Sequence, residues 1–254
     1  MSSQVDRFDN MLKITTELFY PIEQELFLSA IDLHGKRILD VGCGNGAYMN
    51  RIHDSFPSAR LTGVEYEENI YERAVRRTNE KMTFHHMSYE QLPVNQLFDV
   101  VILRLVIHHI PDKHHFCNWL KGVTHDQSKI VILEVDNEQL NDNHQLPLFS
   151  THYKKSRQTL RKNHFLDVKD ALKIEMEHFG LLHQRTTTYR IDASTSGNKI
   201  KLYDYMLLVA QNNVTSSVPN DISEELAVWF HDLSSTHEIH MFGMVFQNLS
   251  KNLK

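Results

Sequence analysis

The residues able to do chemistry cluster around one turn. Asp40-Val41-Gly42-Cys43-Gly44-Asn45-Gly46-Ala47 follows the apolar run Ile38-Leu39 directly. Glycines at a strand's carboxyl end let the backbone turn sharply and leave room for a ligand at the sheet edge. Taken alone, Gly42-x-Gly44-x-x-Ala47 satisfies the dinucleotide fingerprint. Two carboxylates shift that reading. Asp40, beside the first glycine, would repel a pyrophosphate and attract a ligand carrying ammonium and sulfonium charge. Glu65 closes the next apolar run, Leu61-Thr62-Gly63-Val64, about 20 residues beyond the turn, the separation at which a carboxylate reaches ribose hydroxyls. The pair suits S-adenosylmethionine better than NAD.

Leu39-Asp40-Val41-Gly42-Cys43-Gly44-Asn45-Gly46 resembles motif I of class I S-adenosylmethionine-dependent methyltransferases, and further segments follow in the family's order. Gly63-Val64-Glu65-Tyr66 is similar to its ribose-binding segment and Leu92-Pro93 to the end of its adenine-side segment. Phe98-Asp99-Val100-Val101 resembles its fourth strand and Ile130-Val131-Ile132-Leu133-Glu134 its fifth. The resemblance covers roughly residues 36 to 136, with weaker agreement to about residue 210. It implies cofactor contacts at Asp40, Gly42, Cys43, Gly44, Glu65, Tyr66, Ser88, Tyr89, Arg104 and Leu105. Ser88 stands where the family usually carries an aspartate that receives the adenine amino group. A serine hydroxyl accepts the same hydrogen bond without charge, or a backbone group near Tyr89 takes its place.

Arg104-Leu105-Val106-Ile107-His108-His109-Ile110-Pro111 follows the fourth strand and faces the cofactor's reactive end by topology. His108 and His109 are the candidate catalytic residues, as a base for a hydroxyl or ammonium acceptor. A histidine at the position of His109 is also common in the resembled family as a structural hydrogen-bonder, and spacing does not say which ring points inward. For Arg104 two readings stand: a contact to the methionine carboxylate or an acidic substrate, or a salt bridge to a nearby carboxylate.

Composition bounds the rest. A chain of 254 residues, 41% hydrophobic and 23% charged, is long enough for a sizeable core. Its net charge of −5 argues against bulk nucleic-acid binding. The two cysteines, Cys43 and Cys117, specify no disulfide framework. The polar start, Met1 to Asn10, lacks a signal-peptide core, and the apolar run Val100 to Ile110 is broken by Arg104 and two histidines, so a cytoplasmic protein without a membrane span is expected. Seventeen histidines raise the question of metal. The doublets His85-His86, His108-His109 and His114-His115 place neighbouring rings apart, and zinc signatures are absent, so no metal is expected.

The elements that position these residues alternate: strands at 37–41, 60–64, 82–86, 98–103 and 129–135, with helices at 46–55, 67–79 and 112–122. This is the pattern of a Rossmann-like doubly wound α/β fold with right-handed crossovers. Residues 4 to 32 read as two amphipathic helices broken near Tyr20-Pro21, forming an N-terminal helical cap over residues 1–35. The core spans 36–210, with a cap insertion at about 138–165. A helix at 168–179 precedes strands at 182–192 and 200–210, which form the hairpin closing a seven-stranded, mostly parallel sheet with one antiparallel strand. Residues 211–220 read as a linker and 211–254 as a C-terminal helical segment. Tyr20 in the cap, and His152 and Tyr153 in the insertion, are the candidate substrate contacts. Lys154, Lys155, Arg157, Arg161 and Lys162 either attract an anion or form a solvated face.

The expectation is a methyltransferase using S-adenosyl-L-methionine to methylate an oxygen or nitrogen of a small molecule by in-line displacement, with no membrane and no bulk nucleic acid as partner. A methyltransferase acting on protein or RNA, an NAD-dependent oxidoreductase and a non-catalytic cofactor-binding module are the alternatives.

Overall fold

In chain order, α1 (Gln4–Glu23) runs through a π-helical turn, Gln24–Leu28, into the short α2 (Ser29–Ile31). Strand and helix then alternate: β1 (Arg37–Val41), α3 (Ala47–Ser55), β2 (Arg60–Glu65), α4 (Glu68–Ala74), β3 (Met82–His86), β4 (Phe98–Arg104), α5 (Lys113–Gly122) and β5 (Thr124–Val135). The remaining elements are α6 (Pro147–Asn163), α7 (Lys169–His178), β6 (Leu181–Asp192), α8 (Ser196–Asn212), α9 (Asn220–His231) and β7 (Glu238–Asn248). The computed structural model describes residues 4–136, 143–163, 169–212 and 220–249.

The seven strands form one sheet in the order β3-β2-β1-β4-β5-β7-β6. Only β7 is antiparallel, pairing that way with both β5 and β6. Both faces are covered, which is why β1 and β4 read as continuous apolar runs rather than alternating ones. On one face Ile38 packs with Phe19, Phe27, Met49, Met206 and Trp229 from the N-terminal helices, α3, α8 and α9. On the other, Leu39 and Val41 pack with Phe116, Leu120, Leu172 and Met176 from α5 and α7.

Three expectations about elements need correction. The expected break near Tyr20-Pro21 is not made: α1 continues through Pro21 to Glu23, and the π-helical turn follows it. The helical path continues because it buries Leu18, Phe19, Tyr20, Phe27 and Leu28, apolar area that outweighs the missing backbone donor. Residues 200–210 are not a strand but lie within α8. Tyr203, Tyr205, Leu207 and Val209 fit a period of two, but the buried set is Leu202, Tyr205, Met206, Val209 and Ala210, which is helical spacing. Thr195 Oγ1 accepts the Asn198 N–H at 3.1 Å beside that helix's start.

The C-terminal segment is not all helical. Residues 238–248 form β7, which inserts between β5 and β6, so the sheet is not contained in residues 36–210. Buried on both sides, β7 shows the near-continuous apolar run that helix and strand share. Gly243 marks the difference: a Cβ there would lie 2.1 Å from Phe27 Cζ, so the Phe27 ring needs a bare backbone beneath it. Of the expected linker, residues 213–219 lie outside the described residues, as do 138–142 and 164–165 of the expected insertion.

Candidate active site

The carboxyl ends of β2, β1 and β4 lie side by side, and each delivers one charged residue. Asp40 is level with Gly63 on β2 and Ile102 on β4, Glu65 ends β2, and Arg104 ends β4. The strand order reverses direction between β1 and β4, and a crevice opens at such a switch point. Between β1 and α3 the chain turns with Gly42, Gly44 and Gly46 all at positive φ. Gly46 caps α3 at φ 74°, and a Cβ there would meet the Phe84 ring at 2.7 Å. The N–H groups of Gly42 and Cys43 both donate to the Val64 carbonyl, at 2.9 and 3.0 Å, which ties the turn to β2.

A cavity of about 780 Å³ lies above these strand ends, within the range of small-molecule and cofactor sites. Its wall includes all ten residues that the resemblance marks for the cofactor: Asp40, Gly42, Cys43, Gly44, Glu65, Tyr66, Ser88, Tyr89, Arg104 and Leu105. Leu105 takes φ 56°, a left-handed conformation that costs a leucine energy and sits where such strain clusters, at a site.

The electrostatics favour a cationic occupant. Burial pushes the Asp40 carboxyl up to about 7, against the pull of the Arg104 guanidinium and with the Glu65 charge adding to the rise. Burial also raises Glu65, although the backbone N–H groups of Glu67 and Gly44 donate to its carboxylate at 2.8 and 2.9 Å. A positive charge placed between them would favour the ionised forms of both. Cys43 offers no thiolate, because burial drives its thiol upward.

The lid over this cavity is α1. Phe8, Leu12 and Thr16 line the wall, and Leu12 Cδ1 would lie 3.0 Å from a Cβ on Gly44. Asn45 holds α1 to the turn, donating through Nδ2 to the Asp9 carbonyl at 3.1 Å and to Asp9 Oδ1 at 2.8 Å. Arg73 on α4 pairs with Asp6 at 2.7 Å. Arg104 forms a further attachment: Nε donates to Glu23 Oε2 at 2.9 Å and Nη2 to the Thr15 carbonyl at 3.0 Å. Glu23 is fully buried and also accepts from the Tyr189 hydroxyl at 3.0 Å. Arg104 therefore makes the salt bridge of the second reading while remaining in the cavity wall. Burial opposes its charge, but Glu23 more than compensates and its pKa is raised.

The two histidines separate. His109 is exposed and lies in the cavity wall. His108 is buried, is not among the wall residues, and places Nδ1 2.7 Å from Glu134 Oε2 on β5. Their rings touch at a centroid distance of 4.0 Å, with His109 in the cavity wall and His108 outside it.

The three expected substrate contacts are not brought to this wall. Tyr20 faces α3, where its hydroxyl lies 2.8 Å from both the Arg51 carbonyl and Ser55 Oγ. Tyr153 stacks on Phe149 at 5.8 Å within α6, one turn apart on one face, and its neighbour His152 is half-buried on that helix. The side chains of Arg157, Arg161 and Lys162 lie outside the described residues. Ser88 is in the wall, but its hydroxyl also caps the turn Tyr89–Gln91, in a box completed by the Gln91 side chain.

Sequence reasoning missed the α1 contribution of Phe8, Leu12 and Thr16, and also Tyr48. The periodicity of residues 4–23 signals a buried face but not which part of it a cavity leaves uncovered; Tyr48 follows the turn so closely that adjacency was a usable signal. Among the described residues, no group of three or more His, Cys, Asp or Glu is placed to hold a metal ion. No helix among them is long and apolar enough to cross a membrane.

A family model described as a methyltransferase domain matches residues 32–195. Over 98 residues the chain is 31% identical to a malonyl-[acyl-carrier protein] O-methyltransferase of Bacillus cereus, covering 38% of this chain and 35% of that protein. Over 109 residues it is 31% identical to a ubiquinone biosynthesis O-methyltransferase of Aromatoleum aromaticum, covering 39% and 46%. The chain thus spans less than half the length of these relatives. Among solved structures, geranyl diphosphate C-methyltransferase of Streptomyces coelicolor superposes with a TM-score of 0.57 at 12% identity, over 91% of this chain and 79% of that one. Phosphoethanolamine N-methyltransferase 2 of Haemonchus contortus, in complex with S-adenosyl-L-methionine, gives 0.59 at 14%, over 98% and 60%. At such identities the superpositions speak for the fold.

Proposed function

Because the chain belongs to the class I S-adenosylmethionine-dependent methyltransferases, we propose that it transfers the cofactor's methyl group to an oxygen or nitrogen of a small molecule. The observation that carries this reading is the cavity under α1, whose wall joins Phe8, Leu12 and Thr16 of that helix with His109. A small acceptor suits that enclosure better than a polymer. The relatives named for O-methylation point the same way. A protein or RNA acceptor would need a basic groove, for which the sequence offers only residues 154–162. The dinucleotide reading is set aside, since the family is a methyltransferase family and Asp40 opposes a pyrophosphate.

When bound, S-adenosylmethionine supplies a methyl carbon already activated by its sulfonium sulfur. What the chain contributes is positioning and the exclusion of water. In this reading Asp40 accepts from the ligand's ammonium, Glu65 from its ribose hydroxyls, and the turn at Gly42 to Gly46 leaves space for its backbone. His109 takes the proton from a hydroxyl or ammonium acceptor, and Glu134 holds His108 against it. Two free, buried cysteines suit the cytoplasm, where we place the reaction.

The test is turnover of labelled methyl with a panel of small hydroxyl and amine acceptors, against protein and RNA, for the wild type and His109→Gln. Transfer to a small acceptor, reduced about 10²- to 10⁴-fold in the variant, is the expected outcome. Transfer only to a polymer overturns the acceptor class. Cofactor binding without transfer to any of them favours the non-catalytic module.

A further inference from the structure

Tyr48 is 4% exposed and lies in the cavity wall, yet its Oη has no hydrogen-bond partner among the described residues. A buried orphan hydroxyl is costly to a fold and calls for a reason. The ring is fixed from two sides. The Arg104 guanidinium sits over it at 4.6 Å, and Tyr20 packs edge-on at 5.5 Å. Burial drives the hydroxyl's pKa well upward, so Oη keeps its proton and acts as a neutral donor. Arg104 spends Nε on Glu23 and Nη2 on the Thr15 carbonyl, while no described residue takes its Nη1. Two donors without acceptors among the described residues thus belong to neighbouring side chains of one wall.

Their place along the cavity selects the ligand group. Ser88 and Tyr89 follow β3, Glu65 ends β2, and Asp40 and Arg104 end β1 and β4. An adenosyl ligand with its ribose at Glu65 and its base toward Ser88 has its amino-acid end over β1 and β4. That end carries an ammonium, which needs an acceptor, and a carboxylate, which needs donors. Asp40 meets the first need. We infer that Tyr48 Oη and Arg104 Nη1 meet the second, as the seat of the cofactor's carboxylate. Glu23 then has a further part: by holding Nε, it fixes the guanidinium with Nη1 left over. The inference concerns the cofactor's own end and does not depend on which acceptor is methylated.

Calorimetric titration of the wild type and Tyr48→Phe with S-adenosylhomocysteine and with its decarboxylated analogue tests it, alongside the melting temperatures of both ligand-free proteins. The expected result is a wild type that prefers S-adenosylhomocysteine at least tenfold. Tyr48→Phe then loses about 10-fold or more of that affinity, the size of a hydrogen bond to a charged group, while its affinity for the analogue is unchanged. The ligand-free variant melts no lower than the wild type, since only an unpaired group is removed. Equal loss for both ligands, no loss for either, or a lower melting point with unaltered binding overturns the inference. So does a wild type that binds the two ligands equally, a reading that needs no variant.

Discussion

Asp40 is where a single residue's environment sets behaviour in solution. Its carboxyl, 3% exposed between Arg104 and Glu65, titrates near pH 7 because burial disfavours its charge. Below that pH it is neutral and offers an ammonium little. We therefore predict that affinity for S-adenosylhomocysteine rises up to about tenfold per unit from pH 5.5 to 7 and then levels off. In Asp40→Asn the profile is flat and the affinity about 10- to 100-fold lower at pH 7.5, as measured by calorimetry. The linked effect on stability has the opposite slope. The folded protein keeps a proton that the unfolded chain, at an ordinary aspartate value of 3.8, has lost. The ligand-free fold accordingly loses stability as pH rises between about 4 and 7.

At the scale of elements, a buried ion pair joins α1 to the strand ends. Arg104 and Glu23 have side-chain exposures of 7% and 0%, and Tyr189 on β6 completes the group. Replacing one partner strands the other without compensation, at about 3–5 kcal/mol. Glu23→Gln, which preserves shape, is therefore expected to lower stability by that order in urea denaturation. It also frees the lid, so that limited proteolysis cuts first within residues 4–23 and cofactor affinity falls with it. A variant as stable and as protease-resistant as the wild type would show that this ion pair adds nothing to the other contacts that hold α1 in place.

For the molecule as a whole, a ligand that bridges the ends of three strands and touches the lid stabilises all of them together. At 100 times its dissociation constant, S-adenosylhomocysteine contributes about 2.7 kcal/mol. For a chain of this size that raises the melting temperature by roughly 5–10 °C, whereas NADH leaves it unchanged. A shift with NADH of the same size would return the dinucleotide reading.

Much of this architecture lies in local sequence. The turn from Asp40 to Ala47 carries its own conformation in its glycines, and β1, β2, β4 and β5 declare themselves by apolar runs at their cores. The carboxylates at 40 and 65 follow from their places at those strand ends. What the sequence did not determine depends on contacts between distant segments. Residues 200–210 satisfy two periods at once, and only packing on the sheet selects the helix. Residues 238–248 become a strand because β5 and β6 leave a slot between them and Phe27 needs the bare backbone of Gly243. His108 and His109 are adjacent in sequence and identical in type, so no pattern can rank them; Glu134, 26 residues on, draws one ring into the core and leaves the other at the cavity. Arg104 and Glu23 lie 81 residues apart, and their pairing exists only once α1 has folded over the strand ends.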